Sequence, residues 1–274
     1  MLIVAERINT SRKVKGEPVI EQAVERRDAE YIAGLAKSQF EAGATYIDIN
    51  CGTLTTGEPE AFEWLAKVVM EAVDAPISFD TPNGAALEKA LAVYDRSKGQ
   101  PMINSITAET ERYKTILPFV LEHKAKVIAL SMDDSGIQAD PEKRLTVARK
   151  LLTDLTAAGV SVDDIYVDPL TFPIGTGSDV TVSMLDIIRQ VMQDFPGVHT
   201  IAGISNVSHG MPARKILNQA ATVLALGSGL DAGIIDPNDR YLMALISATE
   251  ALLGRDDFCM NYIQCSRDGK FEGL

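Results

Sequence analysis

The sequence predicts an α/β chain closed into a (β/α)8 barrel, a TIM barrel. Three observations predict it. Eight short apolar, β-rich runs alternate with eight segments of helical period. The runs are nearly continuous in apolar residues, which marks strands buried on both faces, as in a parallel sheet. The length, 274 residues, suits a barrel that typically needs ~250. Strict alternation implies right-handed parallel crossovers. An open doubly wound sheet is the alternative, but no Gly-x-Gly-x-x-Gly follows the first run. No linker, low-complexity segment or repeat divides the chain, so residues 1–274 read as one barrel domain.

The expected strands are Leu2–Ala5, Thr45–Ile49, Pro76–Phe79, Pro101–Ile103, Lys126–Leu130, Ile165–Val167, Val198–Ile204 and Ala232–Ile235. The first helix is expected over Glu21–Glu41, where Val24, Tyr31, Ile32, Leu35 and Phe40 keep a helical period and Gly43 supplies the stop. Its run Glu25–Asp28 reads as a solvated helix face. Glu58–Val73 follows, with Pro59 suited to a first turn. Asn83–Tyr94 and Glu109–Glu122 come next. Pro141–Ala158 opens on Asp140 as N-cap and closes at Gly159. Val180–Phe195, Met211–Leu226 and Pro237–Leu253 complete the set, the last with Asp236 as its cap. The polar tail Asn261–Leu274 is expected to pack loosely outside the barrel.

Composition narrows the function. A hydrophobic content of 46% with 23% charged residues is that of a globular protein. A net charge of −12 argues against a nucleic-acid partner, which needs clustered Lys and Arg. No apolar run reaches the ~18 residues of a membrane span, and Met1–Arg7 reads as a first strand and not as an export signal. Three cysteines, Cys51, Cys259 and Cys265, are badly spaced for a metal cage, so no metal is expected and a reduced, cytoplasmic setting is. Cys51 reads as a small buried residue, and Trp64 as packing.

In a parallel barrel, loops at the C-terminal ends of the strands form the working face. The residues there are Glu6 and Asn9; Asp48, Asn50 and Gly52; Ser78 and Asp80; Asn104; Asp168; Ser205, Asn206 and His209; and Asp236. The collection is rich in Asp and Asn and poor in cations. It offers no His or Cys trio for zinc, no Ser-His-Asp order and no glycine-rich phosphate cradle with a lysine. Asp and Asn are suited to the edge of a planar heterocycle. A carboxylate accepts two N–H bonds from a 2-amino-pyrimidinone, and an amide both donates and accepts. Local readings compete: Asp168 before Pro169 as a cap, Asp48 and Asn50 as loop braces, Gly52 as a turn glycine, and His209 as a loop histidine.

The ordered set Glu6–Asn9, Asp48-x-Asn50-x-Gly52, Met102–Ser105, Asp168–Leu170 and Gly203–Ser208 resembles the pterin-binding methyltransferases. These barrels are similar to dihydropteroate synthase and to the folate domain of cobalamin-dependent methionine synthase. The match runs along essentially the whole chain and is nearest to the methyltetrahydrofolate:corrinoid protein methyltransferase family. The resemblance implies that tetrahydrofolate or methyltetrahydrofolate is the substrate. It assigns Asp80, Asn104 and Asp168 to the pterin ring, with Asp48, Asn50, Gly52 and Ser205 shaping the pocket. Asn206 falls beside N5 of the folate as the catalytic residue, with Glu6, Asn9 and His209 as further candidates. His209 stands where relatives often carry glutamine.

The implied chemistry moves a methyl group between N5 and the cobalt of a corrinoid. The chain has no Asp-x-His-x-x-Gly pattern, so the corrinoid is expected on a separate, transiently docking protein. A homodimer is also expected, from the resemblance and because two-fold dimers are the commonest oligomers. Two rivals stand: a dihydropteroate synthase-like enzyme and a folate-binding protein without chemistry. The first family places a Ser-Arg-Lys type basic pair after strand seven and another basic residue at strand eight; here Ser205–Ser208 and Asp236–Asp239 stand there, so the cations an anionic leaving group needs are read as missing.

Overall fold

A computed structural model describes all 274 residues, Met1–Leu274. Eight parallel strands close on themselves in chain order, β1 hydrogen-bonding to both β2 and β8. They are β1 (Leu2–Asn9), β2 (Tyr46–Asn50), β3 (Ile77–Asp80), β4 (Met102–Thr107), β5 (Lys126–Leu130), β6 (Ile165–Asp168), β7 (His199–Gly203) and β8 (Ala232–Ile235). Each lies where a continuous apolar run predicts it. β1 and β4 extend further than expected, because their C-terminal halves turn polar while still pairing with their neighbours. No helix is long and apolar enough to cross a membrane.

Period-two geometry turns this barrel into a platform. Val4, Tyr46, Met102, Ile128, Tyr166, Ile201 and Ala232 pack together as one buried cluster. Side chains of a strand alternate faces, so the residue two positions on shares its direction. Two residues beyond Tyr46, Met102 and Tyr166 come Asp48, Asn104 and Asp168. An apolar plug thus fills the lower barrel, and the polar groups stand one step above it. A larger apolar layer, including Phe62, Leu65, Ile77, Phe79 and Leu151, fills the space between strands and helices.

The helices are α1 (Val19–Glu25), α2 (Ala29–Glu41), α3 (Glu58–Ala72), α4 (Gly84–Ala92), α5 (Thr110–His123), α6 (Pro141–Ala157), α7 (Val180–Asp194), α8 (Arg214–Ser228), α9 (Arg240–Leu252) and α10 (Met260–Arg267). Three expectations are corrected. The expected helix Glu21–Glu41 is two helices. Arg27 takes a left-handed φ of 55°, and Asp28 caps α2 by accepting from the Tyr31 N–H at 3.0 Å. Glu25–Asp28 is therefore a helix break, with the Arg27 guanidinium 5.0 Å above the Trp64 ring.

Helix α9 starts at Arg240, capped by Asp239 through the Leu242 N–H. Asp236 is not its cap: it accepts from the Asn238 N–H at 3.1 Å and pairs with Arg12 at 3.2 Å. The tail lies outside the barrel, with no buried residue in α10, and is anchored at two points. Asp256, 7% exposed, accepts from the N–H groups of Asn261 and Tyr262 at the start of α10, and Arg240 holds the Glu272 carbonyl at 2.6 Å.

Candidate active site

Above the plug lies an open cleft of about 1010 Å³ at the C-terminal ends of the strands. That is the upper end of the range for small-molecule sites, roughly 300–1,000 Å³. Of the eleven residues that the resemblance assigns to the site, Glu6, Asn9, Asp48, Asp80, Asn104, Asp168, Ser205, Asn206 and His209 line it. Asn50 and Gly52 stand behind the wall. Asn50 donates to Asp80 Oδ2 at 2.8 Å and accepts from the Gly52 N–H at 3.0 Å, so this turn braces Asp80 from outside the cleft.

The floor is a set of hydrogen-bonded acids, Asp48 and Asp168 buried and Asp80 half-buried. Asp48, 2% exposed, accepts from Ser78 Oγ at 2.6 Å and from Asn104 Nδ2 at 3.4 Å. The Asn104 amide thereby turns its nitrogen toward Asp48 and leaves its oxygen as a spare acceptor. Asp168, 8% exposed, accepts from the Leu170 N–H at 2.8 Å. This local turn, with Leu170 at φ 66°, caps no helix. Below it, Ser131 Oγ donates to the Asp168 carbonyl at 2.8 Å.

Burial dominates the electrostatics of this floor by disfavouring the charged carboxylate. It pushes Asp168 up to about 7. It pushes Asp80 up to about 6, against the Asn50 bond and the Arg112 guanidinium, which favour the anion. Asp48 is raised well above the carboxylate range by burial and by the neighbouring Asp80. Arg112 sits behind the floor, donating to the Ser105 carbonyl at 3.2 Å and to Ser105 Oγ at 3.1 Å. The floor thus presents acceptors at little distance from one another, without fixed positive charge among them.

One wall is the β7 loop. After Gly203 the chain makes a 3-10 turn, Ile204–Ser208, that buries Ile204 and Val207 and leaves the Asn206 side chain exposed in the cleft. A side chain at Gly203 would place its Cβ 3.2 Å from Asn206 Nδ2, so glycine there makes room for the amide. Ser205 Oγ donates to Glu6 Oε2 at 3.0 Å, joining the ends of β7 and β1. Burial raises the Glu6 carboxyl above its usual range. Arg214 ties the turn down, donating to the Ser205 carbonyl at 2.7 Å and to Ser208 Oγ at 3.0 Å. His209 is exposed at the rim.

The mouth corrects the expectation of a cation-poor face. Arg7, Arg12, Lys13, Arg214 and Lys215 all line it. Asp236, read from the sequence as a helix cap, pairs there with Arg7 at 3.7 Å and Arg12 at 3.2 Å. Reading only the residues at each strand's end finds Arg7 and misses the other four. The available signal was the adjacent pairs Arg12–Lys13 and Arg214–Lys215, each a few residues further along its loop.

The family model for pterin binding enzymes matches residues 14–236. A methylcorrinoid:tetrahydrofolate methyltransferase of Eubacterium limosum is 31% identical over 272 residues, covering 98% of this chain and 97% of that protein. Methionine synthase of Mycobacterium leprae (strain TN) is 29% identical over 86% of this chain, which spans 20% of that longer protein. Among solved structures, dihydropteroate synthase of Xanthomonas albilineans superposes with a TM-score of 0.68 at 18% identity, covering 93% of each chain. That of Yersinia pestis gives 0.65 at 20% identity, over 83% of this chain and 90% of the other. At such identities the likeness shows the fold.

Proposed function

The chain belongs to the family of pterin-binding enzymes, and from that membership we propose that it is a methyltransferase acting between N5 of tetrahydrofolate and the cobalt of a corrinoid carried by a separate protein. The observation that carries the reading is the full-length similarity to a methylcorrinoid:tetrahydrofolate methyltransferase. The geometry is consistent with it. Asp80, Asp168 and the spare oxygen of Asn104 are acceptors suited to the N–H edge of a pterin. Asn206 stands on the adjoining wall with its amide exposed to the cleft.

N5 is the atom whose charge changes. It becomes a tertiary ammonium when it takes the methyl, and it must carry a proton to release one. An amide accepts from the protonated amine and donates to the neutral one, so Asn206 follows N5 through both states. A contact that strengthens as charge develops lowers the barrier more than it improves binding. The open mouth suits transient docking of the corrinoid carrier. Methyl arriving on folate, as in demethylation of methoxy-aromatics or methylamines, is the direction matching the relative's name. We further propose that the enzyme is a homodimer working in the cytoplasm.

A second reading, pteroate synthesis, gains support from the cations at the mouth, which suit an anionic leaving group. One paired assay separates them. Purified protein is given methyltetrahydrofolate with reduced cobalamin, and separately a hydroxymethylpterin pyrophosphate with 4-aminobenzoate. Methyl transfer without pteroate formation is expected. Pteroate formation without methyl transfer overturns the proposal, and binding of folate with neither reaction leaves a folate-binding protein.

A further inference from the structure

Strand β4 carries a bulge beside the floor. Asn104 pairs with Ile128 of β5 and Ile106 with the next residue, Ala129, so Ser105 is an extra residue with no partner across the ladder. The bulge changes the phase of the strand. Asn104 lines the cleft above the plug, to which Ile128 belongs, while Ile106 returns to the outer apolar layer with Ile103 and Ala129. Unbroken alternation would send Asn104 and Ile106 to the same side. A bulge of this kind leaves its own peptide groups to be satisfied off the ladder.

Arg112 of α5 supplies what the bulge lacks. It donates to the Ser105 carbonyl at 3.2 Å and to Ser105 Oγ at 3.1 Å. Ser105 is 4% exposed, so its two acceptors end on one planar fork, a geometry that lysine does not offer. The guanidinium lines a recess separate from the cleft, with Glu109, Glu111 and Asp134. Those acids are engaged elsewhere. Glu109 accepts from Thr107 Oγ1 at 2.9 Å, Glu111 pairs with Lys114 at 3.1 Å, and Asp134 accepts from the N–H and the hydroxyl of Thr110. Arg112 forms an ion pair with none of them, and its charge acts on Glu109 and on Asp80. Burial pushes the Asp80 carboxyl up, while the Asn50 bond and the Arg112 charge favour its anion.

We propose that Arg112 is a positioning residue for the folate site, locking the Ser105 bulge so that Asn104 holds its amide to the pterin edge, and setting a positive charge behind the Asp80 carboxylate. The inference rests on the cleft being a folate site, and it gives Arg112 no contact with the ligand. Asp80 and Asn104 are register partners on β3 and β4, so one side chain behind them governs both acceptors.

The test is the tetrahydrofolate Kd by titration calorimetry for the unmodified protein, Arg112→Gln and Arg112→Lys, each with and without Asn104→Ala. At about pH 8, Arg112→Gln should weaken binding roughly tenfold, the worth of one misplaced hydrogen bond. With Asn104→Ala already in place the further loss should be less than about twofold, because the amide to be positioned is gone. A second readout follows the charge. Asp80 titrates at about 6, and loss of a nearby cation raises it further. In an Asp168→Asn background, which removes the overlapping titration, the acid limb of the affinity profile should move to higher pH in Arg112→Gln and stay in place in Arg112→Lys. A Gln variant that binds as the unmodified protein does, or one whose loss is the same with and without Asn104, overturns the proposal. An acid limb that loss of the charge leaves in place also overturns it. Should Arg112→Gln not fold, Ser105→Ala removes one of the two bonds and leaves the arginine. It should weaken binding roughly two- to threefold with Asn104 present and not without it, and an unchanged Kd overturns the proposal. Failure of the unmodified protein to bind tetrahydrofolate removes the folate reading itself, and this proposal with it.

Discussion

Asp168 links the site to stability at the scale of one residue. Its carboxyl is raised from 3.8 to about 7 by burial. The folded chain therefore binds more protons than the unfolded chain between those values. The stability this group contributes is full below pH 3.8 and is lost as pH rises through about 7. Asp168→Asn should accordingly stabilise the free protein at pH 8, by on the order of 4 kcal/mol at about 1.4 kcal/mol per pKa unit. The gain should fade toward pH 4 in thermal or urea unfolding, and a gain independent of pH would deny the buried charge. The same substitution should weaken folate binding at pH 8 by roughly 10–100-fold, the worth of a hydrogen bond to a charged group. In the unmodified protein, affinity should rise from pH 6 to pH 8, as titration calorimetry would read. Gly203→Ala makes a second test of a single position. Its Cβ would crowd Asn206 Nδ2 at 3.2 Å, so the transfer rate should fall with folate affinity and melting temperature nearly kept. A fall in all three together would make Gly203 a folding residue.

Elements were legible where burial dictates their composition. All eight strands announce themselves because a parallel strand covered on both faces has little room for polar residues before its C-terminal half. That ending is also why the floor acids were readable. Asp48, Asn104 and Asp168 are the first inward-facing positions above the plug, and Asp80 follows buried Ser78 on the same face of β3. Helix limits were less legible. The run Ala23–Phe40 keeps its apolar period through a break that contains neither glycine nor proline, and only Asp28 ahead of Ala29 marks the new start. Asp28→Ala should cost about 1 kcal/mol, the usual worth of such a cap, and lower the melting temperature by roughly 2–4 °C. No change would mean that tertiary packing alone fixes α2. At α9, Pro237 drew the expected start three residues early, because a proline suits a first turn and Asp236 looks like a cap; the true cap, Asp239, is equally good by composition. Four of the five rim cations escaped because a loop's path across the mouth depends on tertiary packing, which strand-end reading does not follow.

At the scale of the whole molecule, the barrel exposes several large apolar side chains. Leu252 at the end of α9 is 87% exposed, and Phe258 just beyond is 93% exposed. The proposed homodimer gives such residues a place to be buried, and sedimentation should show a two-chain particle at micromolar concentration; a single chain there would remove it. The reaction itself needs the folate site, the Asn206 wall and an open mouth together. The most direct test of methyl transfer by this cleft is therefore the single-turnover rate between methyltetrahydrofolate and reduced corrinoid, with folate Kd, for the unmodified protein and for Asn206→Ala. The variant should transfer methyl on the order of 10²–10³-fold more slowly, by analogy with loss of one transition-state donor, while its Kd changes by only a few-fold. Equal losses in rate and affinity, or an unchanged rate, would contradict the role given to Asn206.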